Sequence, residues 1–428
     1  MHKYTTIWPL HIIDFPVTVV IRQIKKLPQH WLKFWIPALL LKVVAAISLG
    51  LIYKYYYGVG DTFSLFDDGK LLAKLAIDQP DTYLQVLWQT VKGRRVDDLI
   101  ILANANPRAV AMSVFNSVLC LLSGNNYWLS AFYAAILNFL ALTTLVYTLE
   151  KIFKLSKQSL LIAFFFYPSV LLWTSGLLKE NVLLACLSIV SAIILRLLYP
   201  EFFKKRIVVI SLLYWLILAF SLLIIYRLKY YYLAVYLPVV IAYSVVVIFK
   251  KKQSNTVFRS QKILFIGVFL FTILLATSIH PNLNLDKVVA ALVLNHDIMV
   301  EETSKPENLI QYNNLKASFS SVLKNTPKAF WEGLARPYLW EQGNWLKKIS
   351  GLENLLFLLL LFGALFKWGQ SGFKTKYSIE VLAVCAFSLV LLLMLALSAP
   401  NLGNLVRYKT GFIPFLILLL VSAVKRKE

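Results

Sequence analysis

Charged residues are scarce in this chain, and acidic residues are the scarcest of them. Only 15% of the 428 residues are charged, with 21 Asp and Glu against 44 Lys and Arg, whereas 59% are hydrophobic. A soluble domain is usually about half apolar. The composition therefore argues against an ordinary soluble globular protein and favours one that crosses a membrane several times.

Cysteine and histidine are too few and too scattered to form a metal or redox site. The three cysteines, Cys120, Cys186 and Cys385, lie in apolar runs, and their spacing fits neither a disulfide framework nor a metal site. The five histidines form no cluster in the sequence. A cleavable secretory signal is not expected either, because the first full apolar run starts only near Trp35. We predict that residues 1–35 form a basic, amphipathic, cytoplasmic segment.

Apolar runs long enough to span a membrane recur along the rest of the chain. They predict an all-α polytopic membrane protein in which residues 36–428 form a single transmembrane domain. The run at 107–123 is short for a span and follows Asn106, a helix cap, with proline at the first helical position. We predict an interfacial or re-entrant helix there. The ten predicted spans are 36–57, 127–149, 158–175, 181–199, 207–226, 230–249, 263–279, 353–368, 379–397 and 411–424.

The distribution of basic residues predicts the orientation of the chain. If residues 107–123 do not cross, the basic segments between the spans fall on the same side as the basic N-terminus, which the positive-inside rule assigns to the cytoplasm. Both termini are then cytoplasmic, and the net charge of +23 requires no nucleic-acid partner. Two large segments, 58–126 and 280–352, become outer loops with interfacial helices, and we expect the function on that face.

The first outer loop opens with three carboxylates, in the stretch GDTFSLFDDGK. Asp61 follows Gly60 at the membrane exit and is placed to cap a helix. Asp68 lies seven residues later and shares the helical face of Asp61, whereas Asp67 lies about 100° round the helix. These acids are either a cap and two solvated charges, or a general base or metal-coordinating group at the membrane surface.

Basic residues recur at other outer turns. Lys179 in the tight turn before 181–199 either reaches lipid or Glu180, or holds the phosphate of a lipid-linked substrate. Arg227 and Lys229 lie among tyrosines, a pattern typical of an aromatic belt and also of a site for phosphate and sugar. The tyrosines around them are Tyr226, Tyr230, Tyr231 and Tyr232.

The end of the second outer loop is rich in tryptophan and carries charges of both signs. Arg336 either forms a structural pair with Glu341 or binds phosphate, and Trp340 marks the membrane interface. Glu353 is placed near membrane depth, where a charge is costly without a partner. Arg407, just before the last span, is either a snorkelling anchor or another phosphate ligand.

These features together resemble the GT-C superfamily of integral-membrane glycosyltransferases, particularly bacterial enzymes that use polyprenyl-phosphate sugars. Family members often have an acid pair closer to the membrane exit, so the resemblance leaves open which acid is catalytic. The stretches that carry it are Gly60-Asp61 with Asp67 and Asp68, the hairpin Pro168…Ser175-Gly176…Lys179, the loop Arg336-Pro337-Tyr338…Trp340-Glu341, and Asn404-Leu405-Val406-Arg407-Tyr408.

The resemblance implies an inverting sugar transfer from a polyprenyl phosphate to a glycan, lipid or protein acceptor, outside the bacterial cytoplasmic membrane. Asp61 would be the base, with Asp67 and Asp68 as competing candidates. Carboxylates alone do not identify a metal, so a requirement for Mg²⁺ or Mn²⁺ stays open. The implied phosphate ligands are Lys179, Arg227, Lys229, Arg336 and Arg407, and the implied sugar or interface aromatics are Tyr230, Tyr231 and Trp340.

Two other functions stay open. A polymerase of polysaccharide repeat units would use lipid diphosphates as donor and acceptor, and should rely on arginine more than on an acid. A flippase or transporter of lipid-linked sugar predicts charged residues buried within spans, together with internal repeats. Lys42 and Arg196 are among the few bases within the predicted spans, and no repeat is visible.

Overall fold

The computed structural model describes residues 29–58, 60–203, 212–252, 258–279, 284–370 and 378–424. Regular secondary structure in these ranges is helical, apart from an isolated bridge between Leu309 and Asn401. The predicted all-α fold is therefore confirmed. A helical fold is expected in lipid, which offers no hydrogen-bond partners, because a helix satisfies its backbone hydrogen bonds within its own segment. Most of the predicted N-terminal segment 1–35 lies outside the described residues.

In the first half of the chain, long apolar helices are separated by groups of shorter ones. The fourth helix begins at Pro107 with Asn106 as its cap, since the Asn106 side chain accepts a hydrogen bond from the Arg108 N–H. The predicted helix at 107–123 is thus confirmed. In order they are α1 (Gln29–Leu51, continued by a π-helix over Ile52–Tyr57), α2 (Asp61–Asp78), α3 (Pro80–Lys92), α4 (Pro107–Ser123), α5 (Tyr127–Phe153), α6 (Lys157–Leu161, continued by a π-helix over Ile162–Phe166), α7 (Pro168–Trp173) and α8 (Lys179–Leu198).

The second half opens with the longest helical run. The backbone of Lys229 leaves the helical conformation, with φ −151° and ψ 72°, and divides this run into two arms. The helices are α9 (Leu212–Lys252), α10 (Phe258–Ile279), α11 (Leu285–Glu301), α12 (Phe319–Ala335), α13 (Trp345–Gln370), α14 (Ser378–Ser398), α15 (Leu402–Lys409) and α16 (Ile413–Val424).

The chain divides into two compact units. Unit 1 consists of residues 1–153 and 170–230, and unit 2 of residues 154–169 and 231–428. In unit 1, α1 runs antiparallel to α5. The Trp31 Nε1 donates to Glu150 at 2.8 Å near one end, and at the other a Cβ on Gly50 would lie 2.7 Å from the Trp128 ring.

Unit 2 is organised around α14. Its Ala396 lies so close to Gly333 of α12 that a Cβ on this glycine would come within 2.7 Å of it. The side chain of Tyr312, in the segment between α11 and α12, donates to the Ala396 carbonyl at 2.8 Å. Helix α13 packs against α16. The core of unit 2 therefore joins its apolar helices to the loop before α12.

Seven helices of the described chain are long and apolar enough to cross a membrane, or eight if the bent pair α15 and α16, at 68°, is one span. The prediction was ten. Two of the predicted spans, 207–226 and 230–249, correspond to the two arms of α9, and the predicted boundary agrees with the break at Lys229; residues 207–211 lie outside the described residues. The 41 residues of the run make roughly 60 Å of helix when the two arms are added along the chain, about twice the hydrocarbon thickness.

The predicted span at 158–175 is wrong as a continuous helix. Helix α6 passes into a π-helix that ends at Phe166, Tyr167 is extended, and α7 begins at Pro168. Proline cannot donate the backbone hydrogen bond of a helix interior, which explains the interruption at this position. Hydrophobicity alone predicted the length of the segment, but not its division.

Candidate functional site

Helix α2 carries the three predicted carboxylates in three different environments. Asp61 is its first residue, and the cap position is occupied by Gly60, one residue earlier than predicted. Asp61 is exposed, as is Asp67, whose carboxylate lies 3.3 Å from the Lys70 ammonium. Asp68 is only 1% exposed. The two acids that the helical period places on one face therefore differ in access.

The buried carboxylate of Asp68 holds the loop before α4. It accepts hydrogen bonds from the backbone N–H groups of Ala103 at 2.8 Å and Asn104 at 3.2 Å. Hydrogen bonds from backbone N–H groups stabilise an ionised carboxylate in a buried position. The contact spans 35 residues of sequence. Among the three acids, Asp68 is the one engaged in a structural role.

The start of α2 is fixed by aromatic packing. Any side chain at Gly60 would overlap the Tyr53 ring, so a close approach requires glycine there. Thr62 is hydrogen-bonded to the Tyr127 hydroxyl at 2.9 Å, and the Phe63 ring stacks on Tyr127 at 4.2 Å. These contacts hold Asp61 at the head of a helix whose next turn is buried. A negative charge at that position is also favourable for the helix dipole.

The hairpin between α7 and α8 packs directly against this region. Leu178, which precedes Lys179, is buried with Tyr53 of the π-helix, and Phe63 of α2 packs on the same cluster. Leu177 packs with Phe66, one turn further along α2. Lys179 is half-buried at the first position of α8. The acidic helix and the lysine of the hairpin are thus brought together by apolar contacts.

Asparagines fix the shape of this hairpin. The Asn181 side chain donates to the Gly176 carbonyl at 2.7 Å, and the Asn138 side chain of α5 donates to the Asn181 carbonyl at 2.8 Å. A Cβ on Gly176 would overlap Leu49 of α1. These contacts connect the turn to α1 and α5, so the position of Lys179 is set by the core of unit 1.

Lys229 forms a buried ion pair with Glu180. The Lys229 Nζ lies 2.8 Å from Glu180 Oε1, and the two side chains are 5% and 2% exposed. The sequence suggested Lys179 as a partner for Glu180. In the structure Lys229, at the break in α9, lies at the Glu180 carboxylate. A charged pair at such depth is costly unless each member is satisfied by the other. Lys229 is therefore engaged within the protein.

Arg227 belongs to α9, and its side chain lies against the C-terminal end of α3. Its guanidinium donates to the Val91 backbone carbonyl and lies against Gly93, where any side chain would overlap it. The Tyr226 ring lies 4.8 Å from the guanidinium. Arg227 is half-buried, and its Nε atom is buried with no hydrogen-bond partner in the described part of the chain. Lys229 is paired with an acid, whereas the Arg227 guanidinium contacts a backbone carbonyl and an aromatic ring.

Sequence reasoning missed Arg108. Its guanidinium lies 5.1 Å from the ring of Tyr230, which is itself exposed. The tyrosine-rich turn of α9 therefore contacts the first turn of α4 as well as the end of α3. The available signal was Asn106-Pro107, which marks a helix start beside Arg108, but nothing in the sequence pairs this arginine with a tyrosine more than 100 residues away.

A surface groove of about 520 Å³ lies between α2 and α4. Asp67, Lys70 and Lys74 line one wall, and apolar side chains such as Leu71 and Leu121 line the rest. Asp61 does not line it. The groove adjoins the acidic helix on the side of Asp67.

The predicted basic residues of unit 2 include an arginine whose donors are all in use. The Arg336 guanidinium has five N–H groups, and it makes five hydrogen bonds, to both oxygens of Glu341, to Glu332, and to the Leu309 and Glu307 carbonyls. The structural Arg336–Glu341 pair, one of the two readings of the sequence, is confirmed at 2.7 Å. A phosphate could bind Arg336 only by displacing one of these partners.

The charges of this cluster shift the pKa values of its members. Burial by itself would lower the pKa of Arg336, but Glu341 and Glu332 outweigh burial and raise it above the ordinary value. Burial by itself would raise the pKa of Glu341, but hydrogen bonds from Arg336, the Tyr338 backbone and Lys347 outweigh burial and lower it. The cluster is therefore stable in its fully charged form.

We expect this cluster to lose its stabilising effect in acid. The lowered pKa of Glu341 in the folded chain means that its contribution is present above the unfolded pKa and is lost as the pH falls through the folded pKa. The midpoint temperatures of thermal unfolding of wild type and Glu341→Gln should differ at neutral pH. They should converge as the pH falls through the pKa of Glu341 in the folded chain. Glu307→Gln, an exposed residue that uses only its backbone carbonyl here, should follow wild type at every pH. A difference for Glu341→Gln that is independent of pH would contradict this assignment.

The other predicted residues of unit 2 lie near aromatic rings. Trp340 is 73% exposed and stacks on Tyr338 at 5.0 Å. Arg407 is half-buried, with its guanidinium 5.5 Å from the Tyr408 ring. Tyr231 is half-buried beside Tyr232, whose hydroxyl donates to the Tyr408 carbonyl. Arg407 and Tyr232 both contact Tyr408, and Tyr231 lies beside Tyr232. Trp340 instead stacks on Tyr338.

A buried polar cluster in unit 2 was only partly visible in the sequence. Glu353 is 8% exposed and accepts from the Ser169 backbone at 2.9 Å and the Ser169 hydroxyl at 2.6 Å. Lys409, 5% exposed, donates to the Gly333 carbonyl at 3.0 Å. Both line a cavity of about 10 Å³, room for about one water molecule. Sequence reasoning noted Glu353 as a charge near membrane depth, but missed Lys409.

The described residues contain no group of three or more His, Cys, Asp or Glu side chains arranged to hold a metal ion. A requirement for Mg²⁺ or Mn²⁺ thus stays untested, since substrate phosphates can supply further ligands for such ions.

The fold and these contacts are consistent with a polytopic helical membrane protein. No family model, curated protein or solved structure matches the chain.

Proposed function

We propose that this chain is a membrane glycosyltransferase that transfers a sugar from a polyprenyl-phosphate-linked donor to an acceptor on the extracytoplasmic face. The proposal depends mainly on the arrangement of unit 1. Exposed Asp61 heads a helix packed against the hairpin of Lys179, and Arg227 contacts the helix that follows. Sugar transfer from a lipid phosphate needs a carboxylate that reaches the acceptor and cations that reach the phosphate.

The proposed reaction assigns one role to each of these residues. Asp61 takes the proton of an acceptor hydroxyl while the hydroxyl oxygen attacks the anomeric carbon of the sugar. The bond from this carbon to the lipid-phosphate oxygen breaks, and its electron pair leaves with the phosphate. The configuration inverts because the two oxygens lie on opposite faces of the sugar. Lys179 and Arg227 stabilise the charge of the departing phosphate.

The buried environments of the other predicted residues support this assignment. The Asp68 carboxylate is engaged by two backbone N–H groups, and the Lys229 ammonium by Glu180. A base must come within hydrogen-bonding reach of the acceptor, and the exposed Asp61 meets that condition better than Asp68. Asp67 is also exposed and stays a competing candidate for the base.

The proposed setting is the bacterial cytoplasmic membrane, with both termini in the cytoplasm and the site on the outer face. On the ten-span reading of the sequence, the positive-inside distribution of Lys and Arg supports this orientation. The acceptor would be a glycan, lipid or protein of the cell envelope, and membrane lipids surround the chain.

Replacing Asp61 by asparagine is expected to lower sugar transfer about 100-fold or more, because a general base contributes about that much to the rate. The purified chain would be given radiolabelled polyprenyl-phosphate sugar and a membrane extract as the source of acceptor, and labelled product would be counted. Asp78→Asn, at the exposed end of the same helix, is the matched control and should keep the wild-type rate. An unchanged rate for Asp61→Asn would exclude the proposed base. Transfer from a lipid diphosphate alone would instead favour a polymerase of repeat units.

A second candidate, a flippase of lipid-linked sugar, is favoured by one observation. Lys42, within the candidate span Lys33–Tyr57, is 1% exposed, and its Nζ donates to Thr174 Oγ1 at 2.6 Å. Ionisable residues buried at membrane depth often mark transport pathways. Movement of a fluorescent lipid-linked sugar across proteoliposomes, without sugar transfer and abolished by Lys42→Met, would support this candidate over the enzyme.

A further inference from the structure

Helix α3 has two apolar faces, and only one of them is packed. Val86 and Thr90 are buried, at 0% and 7% exposed, on the face that meets α2 and α4. The second face carries Leu84, Trp88 and Val91, which are 60%, 58% and 39% exposed. Their spacing of four and three residues places them in one stripe along the helix.

A further exposed apolar side chain precedes α3. Ile77, in the last turn of α2, is 70% exposed and is separated from α3 by the break in the helix at Gln79. A soluble protein rarely leaves a row of large apolar side chains uncovered. Among the described residues, Leu84, Trp88 and Val91 remain exposed although the same helix buries its other face.

Basic residues adjoin the far end of the stripe. The Lys92 ammonium lies 4.5 Å from the Trp88 ring centre, and Arg94 and Arg95 follow after the turn at Gly93. All three cations are exposed. Two exposed acids, Asp78 and Asp81, flank the start of α3, at the opposite end of the stripe, and Asp97 and Asp98 come only after the buried Val96.

We propose that α3 lies on the phospholipid surface of the membrane, with its stripe in the boundary between headgroups and acyl chains. Lys92, Arg94 and Arg95 then contact lipid phosphates. Apolar side chains with tryptophan on one face, and cations beside them, are the pattern of a helix in the plane of the interface. Unit 1 also holds the candidate spans Lys33–Tyr57, Tyr127–Phe153 and Lys179–Leu198, so a membrane surface lies close by.

The tryptophan and lysine at one end of the stripe, together with the candidate spans of unit 1, favour lipid over a second copy of the chain as the occupant. A parallel interface between two copies would bring Lys92, Arg94 and Arg95 near their own equivalents, and an antiparallel one would set Asp78 and Asp81 opposite them and broaden the spectra of spin labels on the stripe. Lipid headgroups supply phosphate all along the surface, and cations near such a surface are attracted to it. The inference does not depend on the proposed sugar transfer.

Site-directed spin labelling tests the position of the stripe. In the full chain with its three cysteines replaced by alanine, Leu84→Cys, Val91→Cys and the control Gln85→Cys would each carry a nitroxide in reconstituted bilayers. Gln85 is exposed but lies to the side of the stripe. We expect the labels at 84 and 91 to collide severalfold more with oxygen, which concentrates in lipid, than with a water-soluble nickel complex. The label at 85 should show the reverse.

Three other results would overturn the proposal. Contact with water alone at all three labels would mean that the stripe faces solvent. Labels at 84 and 91 shielded from both reagents, with broadening that grows with the labelled fraction, would identify a second copy. Shielding without broadening would identify another protein segment as the cover.

A second measurement tests the cations. Native mass spectrometry from bilayers that mix phosphatidylglycerol and phosphatidylcholine would give the ratio of anionic to zwitterionic lipid retained. The triple variant Lys92→Gln, Arg94→Gln and Arg95→Gln is expected to lower this ratio, by roughly fivefold for each cation that contacts lipid. Lys305→Gln, an exposed lysine in the segment between α11 and α12, should leave it unchanged. Equal ratios for wild type and the triple variant would exclude the phosphate contacts.

Discussion

Replacing Lys229 by methionine should destabilise unit 1 by about 3–5 kcal/mol, the usual cost of removing one partner of a buried ion pair. The Lys229 ammonium is 2.8 Å from Glu180, and both side chains are almost fully buried. Methionine fills a similar volume but leaves a carboxylate in a site that water does not reach. Denaturant titration in detergent, followed by tryptophan fluorescence, would measure the loss.

The double variant separates a lost charge partner from lost packing. Glu180→Leu in the Lys229→Met background removes the stranded carboxylate, and buried pairs replaced together by apolar residues are often as stable as the original. We therefore expect the double variant to recover most of the loss. Lys74→Met, at an exposed position of α2, should change stability by less than about 0.5 kcal/mol. A double variant as unstable as the single one would show that packing, not charge, explains the effect.

Replacing Arg336 by lysine should cost unit 2 about 2–4 kcal/mol, although the charge is kept. Lysine has three donors on one nitrogen and cannot reproduce the planar fork. The guanidinium donates to both Glu341 oxygens, at 2.7 and 3.1 Å, and to the Leu309 and Glu307 carbonyls. Lysine can keep only part of this set, so partly buried acceptors lose their donors.

Hydrogen exchange would show where this loss falls. In Arg336→Lys we expect faster exchange in the segment from Pro306 to Asn308 and around Tyr338, because Arg336 joins these two stretches. Lys328→Gln is the matched control. Its ammonium lies 3.7 Å from Glu332 and is 39% exposed, so its loss should cost less than about 0.5 kcal/mol. Wild-type exchange rates in Arg336→Lys would contradict a structural role for the arginine.

Local features of the fold could be predicted from the sequence because their causes are local. The helix at Pro107–Ser123 follows from an asparagine cap and a proline, and Ser378–Ser398 follows from an unbroken apolar run. The Arg336–Glu341 pair was one of two readings, and its partners are five residues apart. The division of the predicted span at 158–175 could not be read from hydrophobicity, because the π-helix and the extended Tyr167 change geometry without changing composition.

The candidate site was predictable in residue type but not in geometry. The sequence placed three acids on one helix, yet their separation into exposed Asp61 and buried Asp68 depends on the loop at Ala103. It placed Lys179 beside Glu180, yet the carboxylate pairs with Lys229, 49 residues away. Spacing along a helix predicts which side chains share a face, but it carries no information about which distant segment covers that face.

The sequence by itself determined that this protein is helical and apolar, and where most of its candidate membrane spans lie. Those properties depend on composition and on the helical period, which each segment carries alone. The tertiary structure decided which charges are buried in pairs, as in Lys229 with Glu180, and which acid remains at the surface. The reason is physical: burying a charge is tolerable only where another segment of the chain supplies its partner, and the partner arrives through packing.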